Sequence, residues 1–274
     1  MTRADADRSL PGQSERNPAG SNGFTLPPGE VQVWRVALAV SEPRCRQLSE
    51  LLDGPERERA ARYYFPRDRR RFTVARAGLR LLLGAYCGVA PALIRFSQNA
   101  YGKPALEGAD PPLDFNLSHS GEMALYAVAR QAELGIDVEQ HRPDIALLDL
   151  ARRFFAPSEA AALVALPAPA RAAAFYRCWT RKEALIKALG LGLAMPLDAF
   201  TVSLQPEASL LDLRGHPGAA AEWLLRNVPV PEGYTGALAV RGPGWRVRVQ
   251  DWDPDRAARP GMTATTHPVS SAQQ

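Results

Sequence analysis

Asp137 and Glu139 alternate with apolar residues in the segment AELGIDVEQ, residues 132–140. The apolar residues stand at every second position, as in a strand with one buried face: Leu134, Ile136 and Val138. Asp137 and Glu139 therefore share the opposite face, with their Cα atoms roughly 6 to 7 Å apart. Two carboxylates this close repel each other unless a positive group lies between them. The spacing predicts a site that holds a positive charge.

A second charged segment, FYRCWTRKEALIKALG, has the apolar pattern of a helix. On a helical wheel Lys182 falls in the middle of the apolar stripe, and Glu183 and Lys187 fall at its edge beside Trp179. The opposite side is predicted to face water: Arg177, Arg181 and Ala188. An unpaired ammonium is costly to bury, so two interpretations stay open. Either Lys182 snorkels and pairs with Glu183, or the helix lines a polar cleft that holds a charged ligand.

Lysine is rare in this chain, since 30 of its 33 basic residues are arginine. The lysines are Lys103, Lys182 and Lys187. An ammonium differs from a guanidinium in size and hydration, so a site that keeps lysine against this bias is predicted to need it. Glu183 could add a third carboxylate to Asp137 and Glu139, and an all-oxygen set of this kind suits Mg²⁺. With lysines nearby, the partner of the metal ion is predicted to be a phosphate compound.

Two further segments have the small polar residues of a ligand site. YGKPAL, residues 101–106, is a tight turn that carries Lys103, and FNLSHSG, residues 115–121, ends a strand with polar side chains around His119. A lone histidine is more often structural than functional. Here Ser118 precedes His119 and Ser120 follows it, which favours a phosphate contact.

The elements that must position these residues occur twice along the chain, in the same order of strand, helices and strands. This predicts an α+β fold of two related halves, residues 30–145 and 146–253. The segments GEMALYAVAR, 121–130, and GYTGALAVRG, 233–242, each place an apolar strand after a glycine and indicate an internal duplication. The cleft between two such halves is the natural place for a ligand, so the active site is expected there.

The motifs together resemble the 4'-phosphopantetheinyl transferases, in the type that activates polyketide and nonribosomal peptide synthases. They run in the order of that family: YGKP, FNLSHSG, GIDVEQ, RFF and WTRKEALIK. The resemblance implies a pseudo-twofold fold of two similar halves with the active site between them. It also implies three magnesium ligands: Asp137, Glu139 and Glu183.

The family's other site residues can be carried over in the same way. Contacts to coenzyme A are implied for a larger set: Arg59, Lys103, Ser118, His119, Lys182 and Lys187. The match of Arg59 is loose, and Arg57 or Arg62 could take its place. The catalytic residues would be Glu183 as general base, with Lys187 and Asp137 stabilising charge on the phosphoryl oxygens.

The reaction implied by this resemblance moves phosphopantetheine from coenzyme A to a serine of an acyl or peptidyl carrier protein. It depends on Mg²⁺ and releases 3',5'-ADP. The carrier is expected to dock by an acidic helix onto a basic or apolar surface near the cleft. A monomer is expected, since the duplication already supplies two halves, and neither nucleic acid nor a membrane is expected as a partner.

Composition agrees with a cytoplasmic globular enzyme of 274 residues, with 46% hydrophobic residues and a net charge of +4. No apolar run reaches the length of a membrane span, and the N-terminus lacks the apolar core of a secretion signal. Both ends, residues 1–29 and 254–274, are expected to be disordered tails. The cysteines have no spacing for zinc or a disulfide framework and are predicted to be small core residues: Cys45, Cys87 and Cys178.

Two alternatives to the transferase stay open. An Asp-x-Glu strand with a distant glutamate also suits a Mg²⁺-dependent nuclease or phosphodiesterase. Against it, the arginine-rich segment 55–80 has few aromatic residues for base stacking beyond Tyr63, Tyr64 and Phe65. The second alternative is a basic binding module whose carboxylates pair with arginines, which leaves Lys182 unexplained.

Overall fold

The computed structural model describes residues 24–213, 216 and 218–253. The first elements are β1 Glu30–Ala37, α1 Glu42–Ser49, α2 Gly54–Ala61, α3 Pro66–Cys87, β2 Phe96–Gln98, β3 Pro104–Leu106, β4 Asp114–Ser120 and β5 Met123–Ala129. The remaining elements are β6 Leu134–Gln140, α4 Leu147–Phe154, α5 Pro157–Ala165, α6 Ala168–Leu189, β7 Phe200–Val202, β8 Leu210–Leu213, β9 Trp223–Val228, β10 Tyr234–Arg241 and β11 Arg246–Asp251. None of the helices in these described ranges has the length and apolar character needed to cross a membrane.

The mixed α+β architecture confirms the predicted fold class, and its connectivity repeats. One sheet has the order β11-β1-β5-β4 and the other has the order β6-β10-β9. Thus β1, β5 and β4 correspond to β6, β10 and β9, and the small hairpin β2-β3 corresponds to β7-β8. The two segments that suggested a duplication, 121–130 and 233–242, contain β5 and β10, which occupy equivalent places.

Each half has one long helix on the outer face of its sheet. Both α3 and α6 have 22 residues, and each ends at a glycine with a left-handed backbone, Gly88 with φ 67° and Gly190 with φ 68°. In the sequence both glycines directly follow an apolar helical pattern, which predicts a helix end, and glycine is favoured there because it lacks a Cβ. Apolar side chains of α3 pack with Trp34 and Tyr126, and those of α6 pack with Ala237.

The two sheets also pack against each other. Strands β1 and β5 contribute Val31, Val33 and Leu125, while β6 contributes Ile136 and Val138, all fully or almost fully buried. The apolar face predicted for β6 is therefore confirmed. Its other face is covered by α6, so β6 is buried on both sides over most of its length.

Polar side chains of β4 join the first sheet to the edge of β6. They stand at alternate positions: Asp114, Asn116, Ser118 and Ser120. The Oδ1 of Asn116 accepts from the backbone N–H of Ile136 at 2.9 Å, and the Oγ of Ser120 accepts from that of Gln140 at 3.1 Å. These bonds take the place of a backbone ladder, because an unpaired buried N–H is costly. Consequently the segment FNLSHS sets how the two halves are aligned.

Several boundaries differ from the prediction. The expected division at 145 would leave β6 in the first half and β11 in the second, whereas β6 pairs with β10 and β11 pairs in parallel with β1. The sequence pattern predicts one helix near 45–64, whereas the structure has α1 and α2, because Asp53 caps the start of α2.

The described part of the expected N-terminal tail is also ordered differently from the prediction. Within the range 1–29 expected to be disordered, Leu26 is buried and Phe24 packs edge-on against Trp34. The other tail residues, 1–23 and 254–274, lie outside the described part.

Candidate active site

A cavity of about 1270 Å³ lies between the two halves. The first half contributes Arg59 of α2 and Ser118 and His119 of β4. The second half contributes the face of α6 that includes Glu183 and Lys187. The cavity therefore collects most of the residues singled out in the sequence, although they come from three separate motifs.

One face of α6 supplies most of the reactive groups on the cavity wall. Trp179, Glu183, Ile186 and Lys187 all line the cavity, since side chains three or four positions apart lie on one side of a helix. This arrangement is the polar cleft that was one of the two interpretations of the helix. Snorkelling of Lys182 toward Glu183, the other interpretation, does not occur.

Lys187 is held in an ion pair at the centre of the site. Its Nζ lies 2.7 Å from Oδ1 of Asp137 and donates to Oγ of Ser118 at 3.0 Å. Ser118 in turn donates to the same Asp137 oxygen at 2.8 Å. Asp137 is only 3% exposed and lies behind the two residues that line the cavity. Its second oxygen, Oδ2, is buried and has no hydrogen-bond partner.

A glycine makes this ion pair possible. A Cβ at Gly135 would lie 2.1 Å from the carbonyl oxygen of Ala184 and 2.3 Å from the amide nitrogen of Ala188. No side chain fits there, so Gly135 lets the backbones of β6 and α6 approach. The close approach brings Lys187 within reach of Asp137, two residues farther along β6. The glycine of the GID motif is therefore a requirement of packing.

The three carboxylates predicted as metal ligands influence one another electrostatically. Burial raises the pKa of Glu139, and the charge of Asp137 raises it further, against a hydrogen bond from Ser120 that lowers it. Burial raises the pKa of Glu183 in the same way, with Asp137 again adding to the effect and Lys187 opposing it. Like charges gathered in a partly buried place disfavour ionisation unless a cation compensates them.

The fit of this group to a metal ion rests on its donor chemistry. In the described ranges, no three or more His, Cys, Asp and Glu side chains are arranged so that they could already hold an ion. The unpartnered Oδ2 of Asp137 and the raised pKa values of Glu139 and Glu183 nevertheless suit an added cation. Oxygen donors of this kind are those that Mg²⁺ prefers.

The structure corrects the prediction for Lys182. This residue is completely buried, and its Nζ donates to the carbonyl oxygens of Leu197 at 2.8 Å and Phe200 at 2.5 Å. The third contact is an ion pair of 2.7 Å with Glu159, which is itself 3% exposed. With three partners in the interior, the ammonium has no donor left for a phosphate. Lys182 therefore does not contact the cavity.

The expectation that the far side of α6 faces water is also wrong. Arg181 is completely buried, and its guanidinium donates to the backbone carbonyls of Ser203, Gln205 and Pro206. Burial lowers the pKa of Arg181 to about 10. Ala188 is buried as well and Arg177 is half-buried, because β6 and the segment that follows α6 pack on these sides of the helix. A helical wheel shows which residues share a face, but it cannot show how many faces are covered.

Two other residues predicted to contact coenzyme A, Arg59 and His119, line the cavity on the side of the first half. Arg59 lines it and lies over the ring of Phe72, 5.3 Å from the ring centroid, and Arg62 also lines it, whereas Arg57 does not. His119 lines it too, and burial lowers its pKa, as do the positive charges of Lys187 and Arg59.

The ammonium of Lys103 is directed to backbone carbonyls. It donates to those of Leu134 at 3.1 Å and Ala188 at 2.8 Å, and burial lowers its pKa. Lys103 thus joins the YGKP turn to the last turn of α6, on the wall of the cavity.

Sequence reasoning missed residues whose role depends on the fold. Glu159 was not singled out, although it is the acid that compensates Lys182. Asn116 was read only as part of a polar motif, whereas its side chain joins the two sheets. The alternation of short polar residues in β4 was a signal for this seam. For Glu159, a proline at the first position of α5 with a glutamate two residues later marks a helix start, and Glu159 accepts from the backbone N–H of Ala156 there.

Comparison with known proteins gives consistent matches over the described chain. Residues 133–239 match the model of the 4'-phosphopantetheinyl transferase superfamily, and residues 39–131 match the model described as 4'-phosphopantetheinyl transferase, N-terminal. The two matches meet directly before β6, which is also where the strands of the second sheet begin.

Individual relatives match over most of their length. The 4'-phosphopantetheinyl transferase HetI of Nostoc sp. is 40% identical over 226 residues, which cover 81% of this chain and 92% of that protein. A putative 4'-phosphopantetheinyl transferase of Synechocystis sp. is 32% identical over 204 residues, covering 73% and 80%. The 4'-phosphopantetheinyl transferase Sfp of Bacillus subtilis is 30% identical over 205 residues, covering 74% and 88%.

Proposed function

Because this chain belongs to the 4'-phosphopantetheinyl transferases and is an enzyme of that class, we propose that it loads carrier proteins from coenzyme A in a Mg²⁺-dependent reaction. The serine hydroxyl of an acyl or peptidyl carrier domain attacks the β-phosphorus of coenzyme A. A bond from the serine oxygen to phosphorus forms, the bond to the leaving phosphate oxygen breaks, and 3',5'-ADP is released. Membership of this family argues against both alternatives, the nuclease and the basic binding module.

The observation that carries this proposal is the position of Lys187. Its ammonium lies at the cavity wall, bonded to Asp137 and Ser118, with Glu183 one helical turn away on the same face. A fixed positive charge beside a carboxylate can stabilise a phosphoryl group as negative charge develops on it, and can leave the carboxylate to accept a proton. These are the two functions that the transfer requires.

Mg²⁺ would be held by Asp137, Glu139 and Glu183. Bound there, the ion would neutralise charge on the diphosphate and orient it. The raised pKa values of Glu139 and Glu183 and the unpartnered oxygen of Asp137 support this assignment.

The chain's own residues account for the other requirements of the reaction. Lys187 would donate to a phosphoryl oxygen, and Glu183 would accept the proton of the attacking serine hydroxyl. Arg59 and His119, which line the first-half wall, would bind the remaining phosphate groups of coenzyme A. Lys103 would contribute through the turn that it fixes.

An exposed surface beside the cavity suits the carrier. Tyr64 is 88% exposed and Phe65 is 52% exposed, and their rings meet edge to face. Arg67 lies over the Phe65 ring, and Arg62, just before the aromatic pair, lines the cavity. Exposed aromatic residues among arginines are typical of interfaces. A carrier that presents acidic and apolar side chains would dock here with its serine near the opening.

The test is the mass of an apo carrier protein after incubation with this enzyme, coenzyme A and Mg²⁺. The carrier should gain one phosphopantetheine, and chelation of divalent cations should prevent the gain. Glu183→Gln should abolish transfer while the protein stays folded. Glu232→Gln, at an exposed carboxylate in the turn between β9 and β10, should leave the rate unchanged. Carriers of unchanged mass across a broad panel would contradict the proposed function. A cytoplasmic location and a monomeric state stay predictions from the sequence.

A further inference from the structure

Lys182 lies in the motif that places Glu183 and Lys187 at the cavity, yet its side chain points away from the cavity into the interior of the second half. Its two carbonyl partners, Leu197 and Phe200, belong to the segment that follows the helix. Leu197 is part of the cavity wall, together with Met195, Pro196 and Asp198. The buried ammonium therefore ties the helix that holds the reactive groups to another part of the same wall.

Glu159 completes this connection from α5. One of its oxygens accepts from the backbone N–H of Val202 at 2.7 Å, and the other accepts from that of Ala156 at 2.9 Å while it pairs with Lys182. The two side chains thus hold residues 197–202 at three backbone atoms. Their charges compensate each other, so neither can be removed without leaving a buried charge unpaired.

The first half contains the same device with a different cation. Arg80 stands eight positions before Gly88, and Lys182 stands eight positions before Gly190. Arg80 forms an ion pair with Glu56, which is the third residue of the short helix α2. Its guanidinium also donates to the carbonyls of Pro91 and Ile94, in the segment after α3. The acids of this clamp, Asp53 and Glu56, line the cavity, but Pro91 and Ile94 do not. The duplication therefore shows a structural clamp in both halves, and in the second half the clamped segment became part of the site.

From this difference we infer that Lys182 is a positioning residue, which with Glu159 fixes the 195–198 wall of the cavity at the distance from α6 that coenzyme A requires. The inference rests on the proposed function, because it names the ligand of the cavity. Lys182 acts through the wall and through α6 and touches no reacting atom. Loss of the clamp should weaken coenzyme A binding more than it slows the chemical step.

Arg181 provides a matched control on the same helix. It is equally buried and bonds several carbonyls of the next segment, at 203–206, but none of those residues lines the cavity. Lys182→Met and Arg181→Met should therefore both lower the melting temperature. Only Lys182→Met should raise the KM for coenzyme A, by roughly tenfold to a hundredfold, as expected when a wall moves by about 1 Å.

Two further variants address the outcome in which Lys182→Met does not fold. Lys182→Arg keeps the positive charge beside Glu159, and its KM should stay closer to the wild-type value than that of Lys182→Met. Arg80 pairs with a glutamate and with backbone carbonyls at the equivalent place, where Asp53 adds a second carboxylate. Glu159→Gln retains a group that accepts from Val202 but loses the charge, and it should raise the KM in the same direction as Lys182→Met. An unchanged KM in the folded Glu159→Gln or Lys182→Met protein would overturn the inference, as would an equal rise in Arg181→Met.

Amide hydrogen exchange separates this inference from the proposed function. In the ligand-free protein, Lys182→Met should accelerate exchange in the segment 195–200, and Arg181→Met should not. This measurement does not depend on enzyme activity. A protein that modifies no carrier would contradict the proposed function, and the exchange rates would still show whether Lys182 fixes the segment 195–200. Exchange in 195–200 that is unchanged in folded Lys182→Met would exclude a positioning role.

Discussion

Replacing Gly135 by alanine tests whether the close approach of β6 and α6 creates the reactive site. The added methyl group would lie 2.1 Å from the carbonyl oxygen of Ala184 and 2.3 Å from the amide nitrogen of Ala188. Both atoms belong to the backbone of α6, so no side-chain rotation can relieve the overlap. The helix must move away from the strand, or the strand must move toward the other sheet.

The required movement follows from ordinary contact distances. A carbon atom normally stays at least about 3.4 Å from such an oxygen, so the two backbones must separate by roughly 1.3 Å near Gly135. Lys187 and Asp137 are 2.7 Å apart on these same elements, and a separation of this size would break their ion pair. We expect a loss of roughly 1 to 3 kcal/mol in the free energy of unfolding and a loss of about a hundredfold in the transfer rate.

The assay compares denaturant unfolding and carrier loading for Gly135→Ala and Gly54→Ala. The second variant is the control, because a Cβ at Gly54 has nothing within 4 Å and its backbone is not in the left-handed region. Gly54→Ala should keep both the stability and the rate. If Gly135→Ala retained the wild-type rate, the ion pair would not depend on the close approach and the reasoning would be refuted.

Two further predictions concern His119 and the exposed aromatic pair. Burial lowers the pKa of His119 from its ordinary value of 6.5, so the unfolded chain binds more protons below that pH and the free energy of unfolding should fall as the pH falls through this range. His119→Asn should flatten this part of the stability profile, measured by denaturant titration at several pH values, and an unaltered slope would contradict it. Tyr64→Ser combined with Phe65→Ser should raise the KM for the carrier several-fold and leave that for coenzyme A unchanged, whereas Leu211→Ser, exposed by 59% on β8, should change neither. An unchanged carrier KM in the double variant would exclude this docking surface.

Local patterns predicted much of the secondary structure and of the site. The alternation in β6, the apolar stripe of α6 and its terminal glycine are properties of neighbouring residues, and all three are found. Predicted residues from separate motifs, Ser118, Asp137, Glu183 and Lys187, lie together at or directly behind the walls of one cavity. Such agreement is possible because each motif is short, and its residue types limit both the secondary structure it can form and the ligands it can bind.

Long-range pairing accounts for the predictions that failed. The second sheet takes β6 from the range assigned to the first half, and β11 returns to pair with β1. Neither choice is encoded in the local pattern of the strand, since any apolar strand can extend a free edge. The same limit applies to Phe24 and Leu26, whose burial depends on what the rest of the first half presents to them.

Lys182 shows most clearly how sequence and tertiary structure divide the information. From the sequence alone it followed that a lysine stands in the apolar stripe of a helix whose edge carries Glu183 and Lys187, and that such an ammonium needs partners. The tertiary structure decided that the partners are Glu159 and two backbone carbonyls in the interior, with no contact to the cavity. The reason is physical: a buried charge must be compensated, but which distant group compensates it depends on how the chain folds back, and residue spacing along a helix does not contain that information.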